Sequence, residues 1–379
     1  MKNYLGVIIL EATNKDLAMD TNGILLQFSS FGESHGQGIG GVLSGLPAGL
    51  DIDYDFIKLE VARRRGGGKF ATPRKEEDAF EILSGVFEGK STGTPIGFFI
   101  PNSNIKSKDY QKIQHLFRPS HADFSYFHKY GVRDYRGGGR SSARETVARV
   151  VAGALAKLLL REFHIEILSG VVGVGVVASK RDSFSKADFE FARESEIFAL
   201  DREIEEAQKL EILKAKRAGD SLGASALVCI KGLPIGLGEP LAYKLDAVLA
   251  RDLMGLNAVK AVEIGAGVEA ARRLGSQNND GRNIQGFMTN HSGGVLGGIS
   301  TGEDLLIKVH FKPTPSIFQE QLSTDTSGNE VRFTLQGRHD PCVGLRGSVV
   351  CESVAALVIA DMLLLNASAT LKNLKKIYG

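Results

Sequence analysis

Residues 142–161 form the segment that most constrains how this chain can fold. Its apolar side chains recur at the spacing of one helix face, at Val147, Val150, Val151, Ala154, Leu155, Leu158 and Leu159. Ser142 and Glu145 match the S-x-x-E capping box that opens many helices. Directly before them, Arg136-Gly-Gly-Gly-Arg140 predicts a flexible turn between two cations. Because a helix N-terminus carries unpaired N–H groups and the positive end of the helix dipole, this junction suits a phosphate or a carboxylate.

Further elements alternate along the chain and predict a mixed α/β or α+β fold. Residues 167–178 are rich in Val and predict a strand, and the apolar alternation of residues 305–311 predicts a half-buried strand. Helical patterns cover about 187–218, with a break, about 240–253 and about 349–366. No internal repeat and no Pro- or Ser-rich linker divides these elements, which favours one continuous domain.

Composition and charge exclude several classes of protein. The 46 Lys and Arg residues against 44 Asp and Glu leave a net charge of +2, far from the basic excess of a whole-chain nucleic-acid binder. The three cysteines form no C-x-x-C pair, so they predict neither a disulfide framework nor a metal site and indicate a reducing, cytoplasmic setting. Charged residues interrupt the most apolar stretches, so we expect no membrane span. The apolar run at residues 4–10 is short and lacks a cleavage site, so we expect no export.

Glycine is abundant, at 45 of 379 residues, and several glycine motifs suggest sites that their context does not support. The segments 173–178 and 265–270 match the loose dinucleotide fingerprint, but neither has both a following helix and an acidic residue about twenty positions on. Residues 85–91 are one residue short of a P-loop. The Arg-Gly segments 63–68 and 136–140 leave RNA binding open as an alternative, although RNA-binding segments of that type are repeated and disordered.

Histidine and arginine supply the candidate chemistry. His35 lies among glycines that permit close approach of a ligand, and His121 lies between Arg118 and Asp123, which could set its pKa. Both imidazoles could act as general acids. Asp340 precedes a proline and reads as a turn residue by default. These residues predict an anionic, phosphorylated substrate held by four guanidinium groups, at Arg64, Arg140, Arg144 and Arg338.

Ordered motifs of the chain resemble one enzyme family. Residues 31–36 read Phe-Gly-Glu-Ser-His-Gly, residues 118–123 read Arg-Pro-Ser-His-Ala-Asp, and residues 337–342 read Gly-Arg-His-Asp-Pro-Cys. With the glycine turn at 136–145 and segments 257–265, 290–298 and 311–316, they resemble chorismate synthase over nearly everything after residue 18.

The resemblance implies a fold and a reaction. The family fold is a β-α-β sandwich, with helices enclosed between antiparallel sheets, in a homotetramer. The family reaction is the last shared step of the shikimate pathway, in which 5-enolpyruvylshikimate 3-phosphate loses phosphate and a C6 proton by 1,4-elimination to give chorismate. Reduced FMN is required, without net redox change.

The resemblance also implies roles for individual residues. His35 is expected to assist phosphate departure, His121 to protonate the flavin, and Asp340 to take part in removing the C6 proton, relayed through the flavin. Arg64 and Arg144 are expected to bind substrate. The residues expected to contact FMN are Arg140, Ser141, Ser142, Asn257, Ala258, Gly297, Lys312, Pro313, Thr314, Pro315, Ser316 and Arg338. Lys69 stands near a position where some relatives carry an additional Arg, one residue out of register, and we assign it no role.

Two further expectations concern the N-terminal residues and the reductant of the flavin. Family members commonly begin Met-Asn-Thr at the spacing that Met19-Asp-Thr21 has from His35, so we expect residues 1–18 to be a poorly ordered extension and residues 19–379 to be the catalytic domain. Because no convincing nicotinamide site is visible, we expect an external flavin reductant rather than reduction of FMN by NADPH on this chain. A flavin oxidoreductase with net redox turnover remains the enzymatic alternative.

Overall fold

The computed structural model describes residues 20–65, 68–71, 78–103, 110, 113–335 and 340–379. The extension expected over residues 1–18 and the FMN contact expected at Arg338 lie outside these residues. Both stay predictions.

The first sheet is antiparallel, with the strand order β1-β2-β3-β7-β4 and a separate hairpin formed by β5 and β6. The strands are β1 (Thr21–Asn22), β2 (Gln27–Gly32), β3 (Gly38–Ser44), β4 (Glu81–Ile82), β5 (Val86–Phe87), β6 (Lys90–Ser91) and β7 (Ile96–Pro101). Strand β3 is glycine-rich because aromatic rings lie on it: a Cβ added at Gly40 would lie 2.2 Å from the Phe31 ring, and one at Gly41 would lie 2.6 Å from the Phe98 ring.

The second sheet is also antiparallel, with the order β11-β16-β10-β8-β9. Its strands are β8 (Glu166–Val174), β9 (Val177–Ala178), β10 (Ala224–Lys231), β11 (Val259–Ile264) and β16 (Leu305–Phe311). Three two-stranded hairpins complete the β-structure, formed by β12 (Arg282–Asn283) with β13 (Gly286–Phe287), β14 (Val295–Leu296) with β15 (Ile299–Ser300), and β17 (Glu320–Thr324) with β18 (Glu330–Thr334).

Two long helices lie between the sheets. The helices are α1 (Tyr54–Arg65), α2 (Asp123–Tyr130), α3 (Thr146–Arg161), α4 (Lys186–Glu194), α5 (Glu205–Arg217), α6 (Leu245–Met254), α7 (Gly275–Asn278), α8 (Gly344–Asn366) and α9 (Leu371–Tyr378). Helix α3 packs on β2, β3 and β7, α8 packs on β8, β10 and β16, and the two helices pack on each other. The expected sandwich of helices enclosed between antiparallel sheets is therefore confirmed.

Helix α8 is long and apolar enough to cross a bilayer by length and composition, and it is the one such helix in the described part of the chain. Most of it is buried inside the protein against α3 and the second sheet. Its apolar composition is that of a core helix.

The start of the helix expected at residue 142 differs from the prediction. Two 3₁₀ turns, Gly139–Ser141 and Ala143–Glu145, come first, and α3 begins at Thr146. The Ser142 side chain accepts the N–H of Arg144, whereas the Glu145 carboxylate binds Arg149 at 3.0 Å. The predicted capping box is therefore wrong, because Glu145 is drawn to a guanidinium one turn further on.

The other elements follow the sequence pattern with shifted ends. The strand expected over 167–178 turns at Gly175, whose φ is +55°, and becomes β8 and β9. The helical pattern of 187–218 splits into α4 and α5, as its break indicated, and the pattern of 240–253 becomes a 3₁₀ turn followed by α6. Helix α8 begins at Gly344 rather than at residue 349.

A cluster of buried charges joins α1, α3 and α8. Glu352 is fully buried and accepts hydrogen bonds from Arg63 at 2.8 Å and from Lys157 at 2.6 Å. Both cations also bind Glu60, and Ser169 of β8 donates to Glu352 at 2.8 Å. Burial alone would raise the pKa of Glu352, but the charges of Arg63 and Lys157 hold it well below its ordinary value of 4.5.

We predict that Glu352→Gln lowers the free energy of unfolding by about 3–5 kcal/mol, because it leaves two buried cations, Arg63 and Lys157, with Glu60 as their one remaining carboxylate in the cluster. Urea unfolding at neutral pH measures this loss. The control is Glu320→Gln, which removes an exposed ion pair with Arg332 and should cost less than about 1 kcal/mol. Equal stability of the two variants would contradict the prediction.

The same cluster predicts sensitivity to acid. Because the folded-state pKa of Glu352 lies below its unfolded value, its contribution to stability is full above a pH of about 4.5 and is lost as the pH falls below it.

Candidate active site

A cavity of about 920 Å³ opens where the glycine turn, the first sheet and the loop after β16 meet. Most residues expected in the active site line it, namely His121, Asp340, Arg64, Arg144, Arg140, Ser141, Ser142, Asn257, Ala258, Lys312, Thr314, Pro315 and Ser316. Residues far apart in sequence thus share one polar concavity of the size that small-molecule sites have.

The glycine turn separates two imidazole rings. A Cβ added at Gly137 would lie 2.5 Å from Cδ2 of His35, and one added at Gly138 would lie 3.0 Å from Nε2 of His121. Both glycines have positive φ, +62° and +88°. Only glycine meets both requirements without strain, so the turn brings His35 and His121 to its two sides.

His35 lies behind the turn rather than in the open cavity. It is 6% exposed, and its ring meets the edge of Tyr110, which lines the cavity, at 5.0 Å between ring centroids. His35 therefore contacts the glycine turn and Tyr110 and is not itself among the residues that line the cavity.

His121 belongs to an ionic network on α2 and the loop before it. Asp123 Oδ1 lies 3.0 Å from Nδ1 of His121, and Asp123 also accepts from Arg118 at 2.7 and 2.9 Å and from Arg133 at 3.1 Å. Nδ1 of His121 also lies 3.2 Å from Nη2 of Arg118, so the tautomer of the ring decides whether Nδ1 donates to Asp123 or accepts from Arg118. The Nε2 atom lies on the side of the ring that contacts Gly138.

The electrostatics of this network favour the neutral form of the His121 ring in the ligand-free protein. Burial lowers the pKa of His121 below its ordinary value of 6.5, and the charges of Arg118 and Arg133 lower it further, against the opposing effect of Asp123. Burial would raise the pKa of Asp123, but hydrogen bonds from Arg118 and His121 hold it well below 3.8. An anion bound beside His121 would raise the pKa of the ring again and make it a proton donor.

Arg64 and Arg144 are buried guanidinium groups at the cavity wall. Arg64 donates to Thr146 Oγ1 and to the Ala143 carbonyl, each at 3.0 Å, and Arg144 donates to Asn102 Oδ1 at 3.0 Å. Both also bind the Asp78 carboxylate. Their positions are therefore fixed before any ligand arrives.

Two further cations stand elsewhere on the wall. Arg140 donates to Ser30 Oγ at 2.8 Å and to backbone carbonyls of β2, which ties the glycine turn to the first sheet. Lys312 donates to the Ser120 carbonyl. Burial lowers the pKa of Lys312, and the nearby charge of Lys260 lowers it further.

Two polar atoms on this wall have no hydrogen-bond partner among the described residues. Asn257 donates to the Ser141 carbonyl at 2.9 Å, but its Oδ1 atom is buried and unpaired, as is Oγ1 of Thr314. Ala258, which also lines the cavity, has a φ of +69°, which is strained for a residue other than glycine. Buried polar atoms without partners indicate a place for a polar ligand.

Asp340 lies at the cavity wall just before α8 and is largely buried. Arg346, in the first turn of α8, donates to Oδ2 of Asp340 and itself lines the cavity. Arg346 is not predicted as a site residue from the sequence, because the apolar pattern places the start of the helix at residue 349. Asp78 is not predicted either, because it stands in a charged run with no feature that singles it out.

The structure does not bring every expected residue to the cavity. Gly297 is exposed in the turn between β14 and β15, and neither it nor Pro313 lines the cavity. Their expected contacts with FMN remain predictions. Lys69 is exposed and also lies away from the lining, beside the Phe70 ring.

Comparison with known proteins identifies similar chains. The family model described as chorismate synthase matches residues 26–364. Chorismate synthase of a Nitratiruptor species is 61% identical over 361 residues, which cover 95% of this chain and 100% of the relative. That of Helicobacter pylori is 57% identical over 368 residues, with the same coverage. A crystal structure of chorismate synthase is 34% identical and matches with a TM-score of 0.74, over 94% of this chain and 97% of that one.

The network around His121 predicts how its ring titrates. We expect the His121 resonance of ligand-free protein to titrate below pH 6.5 in an NMR titration, because burial and two guanidinium groups disfavour the cation. Asp123→Asn should lower the pKa of His121 further, since the opposing charge is removed. A wild-type value at or above 6.5, or a rise in the variant, would contradict this electrostatic description.

Proposed function

Since the chain belongs to the chorismate synthase family, lyases of the shikimate pathway, we propose that it catalyses the family reaction with reduced FMN. In this reaction 5-enolpyruvylshikimate 3-phosphate loses phosphate and its C6 proton by 1,4-elimination and yields chorismate. The observation that carries the proposal is one cavity that joins buried cations, an imidazole on the glycine turn and a carboxylate.

The unpaired polar atoms of the cavity wall fit a flavin. Asn257 Oδ1 can accept from a ring N–H group, and Thr314 Oγ1 can donate to or accept from the ring edge. Arg140 and Lys312 supply positive charge for the FMN phosphate, together with the N–H groups of the turn at Ser141. When bound, reduced FMN supplies an electron transiently to a substrate whose C6 hydrogen is not acidic.

The cations and His35 act on the leaving phosphate. Arg64 and Arg144 hold an anionic group of the substrate through fixed N–H donors, so little reorganisation is needed as charge develops. A phosphate dianion near His35 favours the protonated imidazole, which donates a proton to the departing oxygen.

His121 and Asp340 act in the proton transfers of the reaction other than the protonation of the leaving phosphate. His121 keeps its Nδ1 atom beside Asp123 and presents Nε2 beside Gly138, where it holds a proton once an anion is bound. Asp340 accepts the proton that leaves the substrate. Arg346 holds one of its oxygens and thereby fixes the direction of the other.

Several finer properties belong to the same proposal. We propose a cytoplasmic homotetramer that relies on an external flavin reductant. The need for an external reductant is supported by the Gly265-x-Gly267 motif. This motif leads into a 3₁₀ turn, Gly267–Arg272, rather than into the α-helix that a nicotinamide dinucleotide site needs.

RNA binding through the Arg-Gly segments is disfavoured by the contacts of their cations. Arg63 is held by Glu60 and Glu352 in the core, and Arg140 is bound to β2. Neither guanidinium is displayed as a flexible RNA-binding segment displays it.

The proposal is tested by anaerobic turnover of 5-enolpyruvylshikimate 3-phosphate with chemically reduced FMN. We expect phosphate and chorismate in equal amounts, with many turnovers for each flavin. Consumption of reductant in proportion to product would indicate a flavin oxidoreductase instead, and no release of phosphate would refute the proposal. With NADPH and oxidised FMN in place of reduced FMN, we expect no turnover.

The two histidines are tested by substitution. We predict that His35→Ala and His121→Ala each lower kcat by roughly 10²–10⁴-fold, the usual contribution of a general acid, with little change in Tm. The control is His128→Ala, because His128 is exposed on α2 and its ring bonds the Phe124 carbonyl of its own helix. Rates near wild type in both active-site variants would remove these residues from the mechanism.

A further inference from the structure

Asp78 is a buried carboxylate that the proposed reaction does not use. Its side chain is fully inaccessible, and it bonds Nη1 of Arg144 and, at 3.4 Å, Nη1 of Arg64. Its φ is +48°, in the left-handed region that few residues other than glycine adopt. A residue kept in a strained conformation at a functional site is held there by its surroundings.

The two guanidinium groups that meet at Asp78 come from different elements. Arg64 stands in the last turn of α1, and Arg144 stands in the 3₁₀ turn before α3. Both are almost fully buried and both line the cavity. Two positive charges that contact the same carboxylate and are shielded from water repel each other strongly. The carboxylate between them offsets that repulsion and gives both groups a common partner.

We propose that Asp78 is a positioning residue that assembles Arg64 and Arg144 into one binding site for an oxyanion of the substrate before the substrate arrives. The three groups together carry one net positive charge. The inference rests on the proposed function only for the identity of the anion.

Asp78→Asn gives a test whose sign separates positioning from simple electrostatics. Asn has nearly the same shape and tolerates the left-handed region, so the backbone need not change. Asp78 is itself an anion, so if it only contributed charge, its neutralisation would strengthen the binding of another anion. If it positions the two guanidinium groups, binding weakens.

The probe is inorganic phosphate, titrated calorimetrically into flavin-free protein at fixed ionic strength. We expect Asp78→Asn to bind phosphate at least tenfold more weakly than wild type. In steady-state turnover we expect its KM for 5-enolpyruvylshikimate 3-phosphate to rise more than its kcat falls. Equal or tighter phosphate binding would overturn the proposal.

A second test does not require the Asp78 variant to fold. In Arg64→Gln or Arg144→Gln, Asp78 cancels the charge of the remaining guanidinium, so each single variant should by itself lose at least tenfold in phosphate affinity. Wild-type phosphate affinity in either single variant would contradict the shared site.

The matched control is Asp252→Asn. Asp252 is also buried and paired with an arginine, Arg251 at 2.6 Å, but that arginine, unlike Arg64 and Arg144, does not line the cavity. We expect this variant to lose stability and to keep the wild-type Kd for phosphate; an equal loss of affinity would overturn the proposal. Phosphate binding needs no turnover. A protein that binds phosphate through Arg64 and Arg144 but forms no chorismate would therefore refute the proposed function and would not contradict the role of Asp78.

Discussion

The buried ion pairs of Glu352 hold the centre of this protein together and also orient its active site. Glu352 on α8 is stable as a buried anion only while Arg63 of α1 and Lys157 of α3 contact it. These contacts fix the rotation of α1 about its axis. Since consecutive residues of a helix point about 100° apart, the orientation of Arg63 toward the core turns Arg64 toward the start of α3 and the cavity. The buried ion pairs of the core and the proposed substrate site are therefore linked through two neighbouring arginines.

The glycine turn converts this helical scaffold into a site. Gly137, Gly138 and Gly139 all have positive φ, so the chain folds back on itself directly before the two 3₁₀ turns and α3. The absence of side chains lets His35 and His121 touch the backbone from opposite sides. The cations and the His121 ring consequently line one cavity, and His35 packs against Gly137 of the same turn.

Much of the local structure could be predicted from the sequence, because it depends on periodicity alone. The apolar repeat of α3, the alternation of residues 305–311 and the break between α4 and α5 all appear where the pattern indicated. The pairing of His121 with Asp123 could be expected because the two residues are close in sequence. The capping box failed because a competing ion pair, Glu145 with Arg149, has the same local spacing.

The remaining features depend on contacts between distant parts of the chain. Arg64 and Arg144 meet at Asp78, and nothing in the local sequence distinguishes Asp78 from the acidic residues beside it. Arg346 could not be assigned because its role depends on where α8 begins relative to Asp340. Family resemblance supplied the residues of the proposed flavin site, whereas the unpaired atoms of Asn257 and Thr314 depend on how these side chains pack at the cavity.

We propose that one preassembled cavity binds both flavin and substrate. The decisive experiment is a crystal structure of the complex with oxidised FMN and 5-enolpyruvylshikimate 3-phosphate. We expect the flavin ring against Asn257 and Thr314, and a substrate oxyanion on Arg64 and Arg144, with those two side chains placed as in the ligand-free protein. Flavin or substrate bound outside this cavity, or binding that requires the arginine pair to separate from Asp78, would contradict it.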